Sequence, residues 1–128
     1  MLDLGCCIGS FGQWCLHHGA ESYVGVEVQS EYARTARSLL SHHGEKVRIV
    51  ESTIEDFLRD CQDKFDLVAI LGVLYAFVDY YGVLKRVTEL CEETVLIDSL
   101  WPWKDAVSHN APAVAFVTTQ GINVASTV

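Results

Sequence analysis

The chain opens on Met1-Leu2-Asp3-Leu4-Gly5-Cys6-Cys7-Ile8-Gly9-Ser10-Phe11-Gly12, and this stretch restricts what the rest can fold into. It reads as the end of a buried strand, a glycine-punctuated turn and the first turn of a helix. Glycine at such a turn accepts a positive φ and lets a ligand come close to the backbone. The helix that follows offers unpaired N–H groups to that ligand. Tyr23-Val24-Gly25-Val26-Glu27 reads as the next strand and ends in a carboxylate eighteen residues after Gly9. A nucleotide-binding α/β unit sets a carboxylate against ribose hydroxyls at close to this spacing. One nucleoside-sized ligand would touch both ends of the unit.

The remaining segments continue the alternation of strand and helix. Ser10 to His18 is expected as a helix ended by Gly19, with Trp14 and Leu16 packing it on the sheet. Strand two is expected at about Ser22 to Val28. Ser30 is a good N-cap for a helix over Glu31 to His42, closed by Gly44. Tyr32, Ala33, Ala36, Leu39 and Leu40 form its apolar stripe, with Glu31, Arg34 and Arg37 facing outward. Lys46 to Glu51 reads as strand three, and Ser52 or Thr53 caps a short helix from Ile54 to Asp60. Phe65 to Leu71 is almost unbroken in apolar residues, as a central parallel strand should be. Asp79 caps a helix from Tyr80 to Cys91 that buries Val83, Val87 and Leu90; Glu92-Glu93 ends it, and Thr94 to Ser99 makes strand five. Five strands alternating with four helices predict an α/β fold: a doubly wound, mostly parallel sheet with helices on both faces. Residues 113–119 fit a sixth strand or a buried helix, which periodicity does not separate. Gly121 to Val128 shows no clear turn or cap.

Asp3-Leu4-Gly5-Cys6-Cys7-Ile8-Gly9 resembles motif I of the class I S-adenosylmethionine (SAM)-dependent methyltransferases, D/E-x-G-x-G-x-G. Asp3, two positions before the first glycine, is the separating detail. Gly5, Gly9 and Gly12 do not fit the G-x-G-x-x-G of a dinucleotide-binding oxidoreductase. Cys7 stands where the family's middle glycine usually stands, and is read as variation. The resemblance covers roughly residues 1 to 100. It implies a Rossmann-like domain with SAM held by Asp3, Gly5, Cys6, Cys7 and Gly9, and by Glu27 and Val28 at the ribose. It also implies that the turn after strand three holds adenine. The acid often found there is replaced by Ser52 or Thr53, so the contact falls to a hydroxyl or to the Ile54 N–H; capping alone explains the two hydroxyls equally well. Phe65-Asp66-Leu67-Val68 resembles the family's F-D-x-V segment, which puts Leu71, Gly72 and Tyr75 beside the methionine end of SAM and the incoming substrate. Tyr75 fits either a substrate contact or plain packing. A histidine common in relatives is absent at Ala76, which leaves no obvious general base. Trp101-Pro102-Trp103 follows strand five and reads as an aromatic wall for substrate or as a plug over the sheet end. The family's domain closes with a further helix and a β6–β7 hairpin. This chain is too short for a complete set and reads as a fragment or a pared domain.

Length and composition narrow the function classes. The 128 residues suit one domain over residues 1–128, and 50% hydrophobic content suffices for two buried sheet faces. A formal charge of −8 argues against nucleic acid held by simple electrostatics. No apolar run approaches the ~20 residues that span a bilayer, and the chain does not open on a basic n-region. The five cysteines are odd in number and lack C-x-x-C spacing, so reduced, buried thiols in a cytoplasmic protein are expected. The histidine pairs His17-His18 and His42-His43 fall near expected helix ends, where imidazolium suits the last carbonyls, and no metal site is expected. No N-P-P-Y or D-P-P-Y follows strand four, and no Pro-Cys dipeptide occurs, which argues against adenine-amino, glutamine and cytosine-C5 methylation. The expected activity is methyl transfer from SAM to an unidentified acceptor, a small molecule rather than nucleic acid. The alternatives are a methyltransferase-like interaction domain without turnover, a relative acting on tRNA uridines (from Gly72-Val73-Leu74-Tyr75), and an NAD(P)-dependent oxidoreductase.

Overall fold

The computed structural model describes residues 1–99, 113–118 and 121–126. Seven strands form one sheet: β1 (Leu2–Leu4), β2 (Tyr23–Glu27), β3 (Val47–Glu51), β4 (Phe65–Leu71), β5 (Cys91–Ser99), β6 (Ala113–Thr118) and β7 (Gly121–Ser126). Their order is β3-β2-β1-β4-β5-β6-β7. The first five are parallel; β6 runs antiparallel to β5, and β7 antiparallel to β6. Residues 113–118 are therefore a strand. Strand order reverses between β1 and β4, the switch point where such sheets open a crevice at their carboxyl edge. Asp3 of β1 lies opposite Gly25 on one side and Ala69 on the other.

The two sheet faces carry separate apolar layers. Leu2, Leu4, Val26, Val68, Ile70 and Val95 pack under α3 (Ile54–Asp60) and α4 (Tyr80–Leu90), against Leu58, Val83, Val87 and Leu90. On the other face, α1 (Ser10–His17) and α2 (Ser30–Leu40) cover a smaller layer centred on Cys6, Tyr23 and Leu40. Alternate residues of β1 and β2 thus go to opposite faces, which is the period of a strand buried on both sides.

Helix ends follow local chemistry, with some departures from expectation. Gly19, at φ 102°, closes α1 with the Ala20 N–H donating to Cys15 O at 3.0 Å, a Schellman stop. Trp14 does not pack on the sheet. It is 57% exposed and stacks on His18 at 4.2 Å between ring centroids. Gly12 faces the sheet in its place, because the Tyr23 ring fills the space under α1. Ser30 is not the N-cap of α2. Gln29 holds that position, and the Ser30 hydroxyl donates to Glu51 instead. Helix α2 stops at Leu40, and a 3-10 stretch, Ser41–Lys46, replaces its expected last turn, with Gly44 at φ 59°. Its buried stripe is narrower than expected: Ala33, Ala36 and Leu40 are covered while Tyr32 and Leu39 are exposed.

Thr53 caps α3 by accepting from the Asp56 N–H at 3.1 Å, and Asp79 caps α4 by accepting from the Gly82 N–H at 2.9 Å. Arg86 of α4 donates to Leu58 O at 2.9 Å and to Cys61 O at 2.5 Å, tying the carbonyl end of α3 to its neighbour. Helix α4 ends at Leu90, and β5 begins at once with Cys91 opposite Phe65. Glu92 and Glu93, expected to end the helix, are exposed strand residues. No helix among the described residues is long and apolar enough to cross a membrane.

Candidate functional site

The turn after β1 reverses direction by left-handed backbone. Gly5, Cys7 and Gly9 have φ of 80°, 50° and 82°. Cys7 thus adopts at the middle position the conformation that favours glycine, with its side chain exposed. The Gly5 and Cys6 N–H groups both donate to Val26 O at 2.9 Å, and the Gly9 N–H donates to Cys6 O at 2.8 Å. Both glycines are also packing requirements. A Cβ on Gly5 would lie 2.6 Å from Val73 Cγ1, and one on Gly9 would lie 2.9 Å from Leu40 Cδ1. The turn is therefore wedged between the loop after β4 and helix α2.

Glu27, at the end of β2, is 7% exposed. Its Oε2 accepts from the Cys7 N–H at 2.9 Å and its Oε1 from the Gln29 N–H at 2.8 Å. Each carboxylate oxygen has a further lone pair to offer. The Glu27 carbonyl accepts from the Ser52 N–H at 3.1 Å, joining the end of β3 to the same cluster. Val28 follows, largely exposed. The Ser52 hydroxyl donates to Thr53 O at 3.0 Å. That of Thr53 accepts the Asp56 N–H and donates to Asp56 Oδ2 at 2.8 Å, so its main engagement is the cap. Ile54 is half-buried against the α3–α4 layer.

On the far side of β1, Leu71 and Gly72 end β4. Gly72 has φ 67° and donates its N–H to Asp98 O at 2.7 Å. Among the described residues a Cβ there would meet nothing within 4 Å. Tyr75 sits on a 3-10 turn, Leu74–Ala76, and is 62% exposed. Trp101 lies outside the described residues. Asp98 pairs in register with Leu71 and is half-buried at the carboxyl end of β5. In the sequence it is marked as a carboxylate ending a run of apolar strand positions.

Asp3 stands apart from these groups. Only 2% exposed, its Oδ2 accepts from the Tyr23 hydroxyl at 2.8 Å. Burial pushes its carboxyl up to about 6, while the Tyr23 hydrogen bond pulls it down and the Glu27 charge pushes it up. Burial first, and then the Asp3 charge, push the Cys6 thiol up to about 12, which keeps it neutral. The five cysteines are free; Cys6, Cys15 and Cys61 are buried and Cys91 is half-buried, but Cys7 is exposed, contrary to the expectation for all five. Among the described residues, no three His, Cys, Asp or Glu side chains gather as a metal site would require.

The predicted residues Asp3, Gly5, Cys6, Cys7, Gly9, Glu27, Val28, Ser52, Thr53, Ile54, Leu71 and Gly72 thus all lie on or just beyond the carboxyl ends of β1–β4. The solved structures with similar folds include the plantazolicin methyltransferase BamL, in complex with a triazolic desmethylPZN analog and S-adenosylhomocysteine (SAH). It shares 19% identity over 77% of this chain, with a TM-score of 0.67. The bifunctional kinase-methyltransferase WbdD shares 26% identity over 84% of this chain, also with a TM-score of 0.67. The chain spans 37% of the length of the first and 26% of the second. No curated protein matches the sequence. A family model described as a methyltransferase domain matches residues 1–94. The chain therefore belongs to the methyltransferase domain family and has the Rossmann-like fold of class I SAM-dependent methyltransferases.

Proposed function

We propose that this chain binds SAM at the carboxyl edge of β1–β4 and transfers its methyl group to a small-molecule acceptor. The observation that carries the reading is the Glu27 carboxylate. It is buried, held by N–H groups from the β1 turn and from Gln29, and retains lone pairs for a pair of ribose hydroxyls. Asp3, Gly5, Cys6, Cys7 and Gly9 would form the floor and turn of the site. Glu27 and Val28 would flank the ribose, and Ser52, Thr53 and Ile54 the adenine. Leu71 and Gly72 would border the methionine end, with Tyr75 and Trp101 on the acceptor side. Gly72 has no described residue within 4 Å of where a Cβ would stand, which suits a ligand passing close to the backbone.

SAM supplies a methyl group already activated on a sulfonium. The residues of the chain then need to align acceptor and methyl and to exclude water, which contributes several kcal/mol without a dedicated base. The formal charge of −8 supports a small acceptor over a polyanion. Five cysteines, odd in number and without C-x-x-C spacing, suit a reducing compartment, and we propose the cytoplasm as the location.

Thermal unfolding beside SAH, SAM, NAD and NADP at equal concentration tests the cofactor. At about 100 times its dissociation constant a ligand adds roughly 2.7 kcal/mol, enough to raise the midpoint by on the order of 10 °C. The expected result is a shift with SAM and SAH alone. No shift from a folded sample would overturn the reading, and binding without turnover would mark a cofactor-binding module. Glu27→Ala tests the ribose contact. It should weaken SAH by about 1.5–3 kcal/mol per ionic hydrogen bond lost, and unchanged affinity would remove Glu27 from the site.

A further inference from the structure

Tyr23 is a fully buried tyrosine in the apolar layer between α1 and the sheet, and the cofactor reading gives it no task. Its ring lies between α1 and the sheet in a space that two glycines keep open. A Cβ on Gly12 would come within 2.3 Å of the ring, and one on Gly25 within 3.0 Å. The ring directs its hydroxyl at Asp3 Oδ2, 2.8 Å away. Among the described residues the Tyr23 hydroxyl is the side-chain partner of the Asp3 carboxylate. That bond holds the buried carboxylate through Oδ2, two residues before the glycine turn.

We infer that Tyr23 is a positioning residue of the cofactor site, whose hydroxyl holds the Asp3 carboxylate ionised and oriented beneath the turn for a cationic cofactor. The inference rests on the SAM reading above. SAM and SAH both carry an ammonium group, so an ionised carboxylate under the turn favours them electrostatically. The titratable groups around Asp3 are Tyr23 and Glu27 of β2, Cys6 of the turn and Cys15 of α1. Of these, only the Tyr23 hydrogen bond draws the carboxyl towards its charged form. Without that bond, burial and the Glu27 charge act unopposed, and Asp3 stays protonated to higher pH.

Tyr23→Phe, which keeps the ring and removes one oxygen, tests this by calorimetric SAH binding from pH 5.5 to 8.5. The readout is the ratio of variant to wild-type affinity at each pH, in which the titration of the ligand cancels. The ratio should fall roughly three- to tenfold near pH 7 and recover towards one at pH 8.5. A ratio of one throughout, or an equal loss at every pH, would overturn the proposal, since a packing role has no reason to titrate. Asp3→Asn closes a double-mutant cycle: Tyr23→Phe should cost nothing further in that background. The same cost in both backgrounds would show that Tyr23 does not act through Asp3. If the wild-type chain binds no SAH at any pH, the cofactor reading fails, and this inference with it.

Discussion

Asp3 shows most directly how burial decides the behaviour of a single residue. Its carboxyl rises from 3.8 to about 6 on folding, so the folded chain holds a proton that the unfolded chain releases. Stability from this group is therefore complete below about pH 4 and is lost as pH rises through 6. Asp3→Asn keeps an acceptor for Tyr23 and cannot ionise. It should gain on wild type as pH rises from 4 to 7, by on the order of 2–3 kcal/mol, in denaturant titrations at fixed pH. A constant difference across that range would contradict the shift. At this scale the sequence was informative wherever spacing alone mattered: Asp3, Gly5 and Glu27 were legible from their offsets. The link from Tyr23 to Asp3 was not, because it depends on β1 lying beside β2 and on Gly12 and Gly25 opening the same space. Two glycines flanking a tyrosine in sequence look the same whether or not their missing side chains converge on its ring.

Elements were legible where one signal dominated. The nearly continuous apolar run of β4 matches Phe65–Leu71 in full, and Thr53 and Asp79 cap the helices expected of them. Ser30 failed as a cap because Glu51, brought alongside by the β2–β3 pairing, competes for its hydroxyl. The end of α4 was misjudged because the chain enters β5 with no intervening turn, so two glutamates served as a false stop. The capping role of Thr53 gives a prediction at this level. Thr53→Ala should cost about 1 kcal/mol of unfolding free energy. Adenine sits, on the cofactor reading, against the first turn of that helix, so SAH affinity should fall less than in Glu27→Ala. A larger loss than in Glu27→Ala would make the Thr53 hydroxyl a principal adenine contact.

At the scale of the whole molecule, parallel order follows from the alternation of strand and helix, and the reversal between β1 and β4 opens a crevice on the carboxyl edge. The antiparallel β6 and β7 were not legible, since residues 113–119 carry no periodicity that separates strand from helix. Hydrogen bonds link the ends of β1, β2 and β3 around Glu27 and tie the turn after β1 to them. Within this arrangement Cys7 occupies an unusual place. It is the exposed thiol of the five, and its backbone N–H, not its sulfur, is what Glu27 grips. A maleimide dye offered briefly to the native chain should therefore attach at one position, seen as a single mass increment, and bound SAH should slow the attachment. On the cofactor reading the left-handed turn gives the chain a reporter handle at the mouth of the proposed site, through which ligand occupancy would be followed by fluorescence in the unmutated chain.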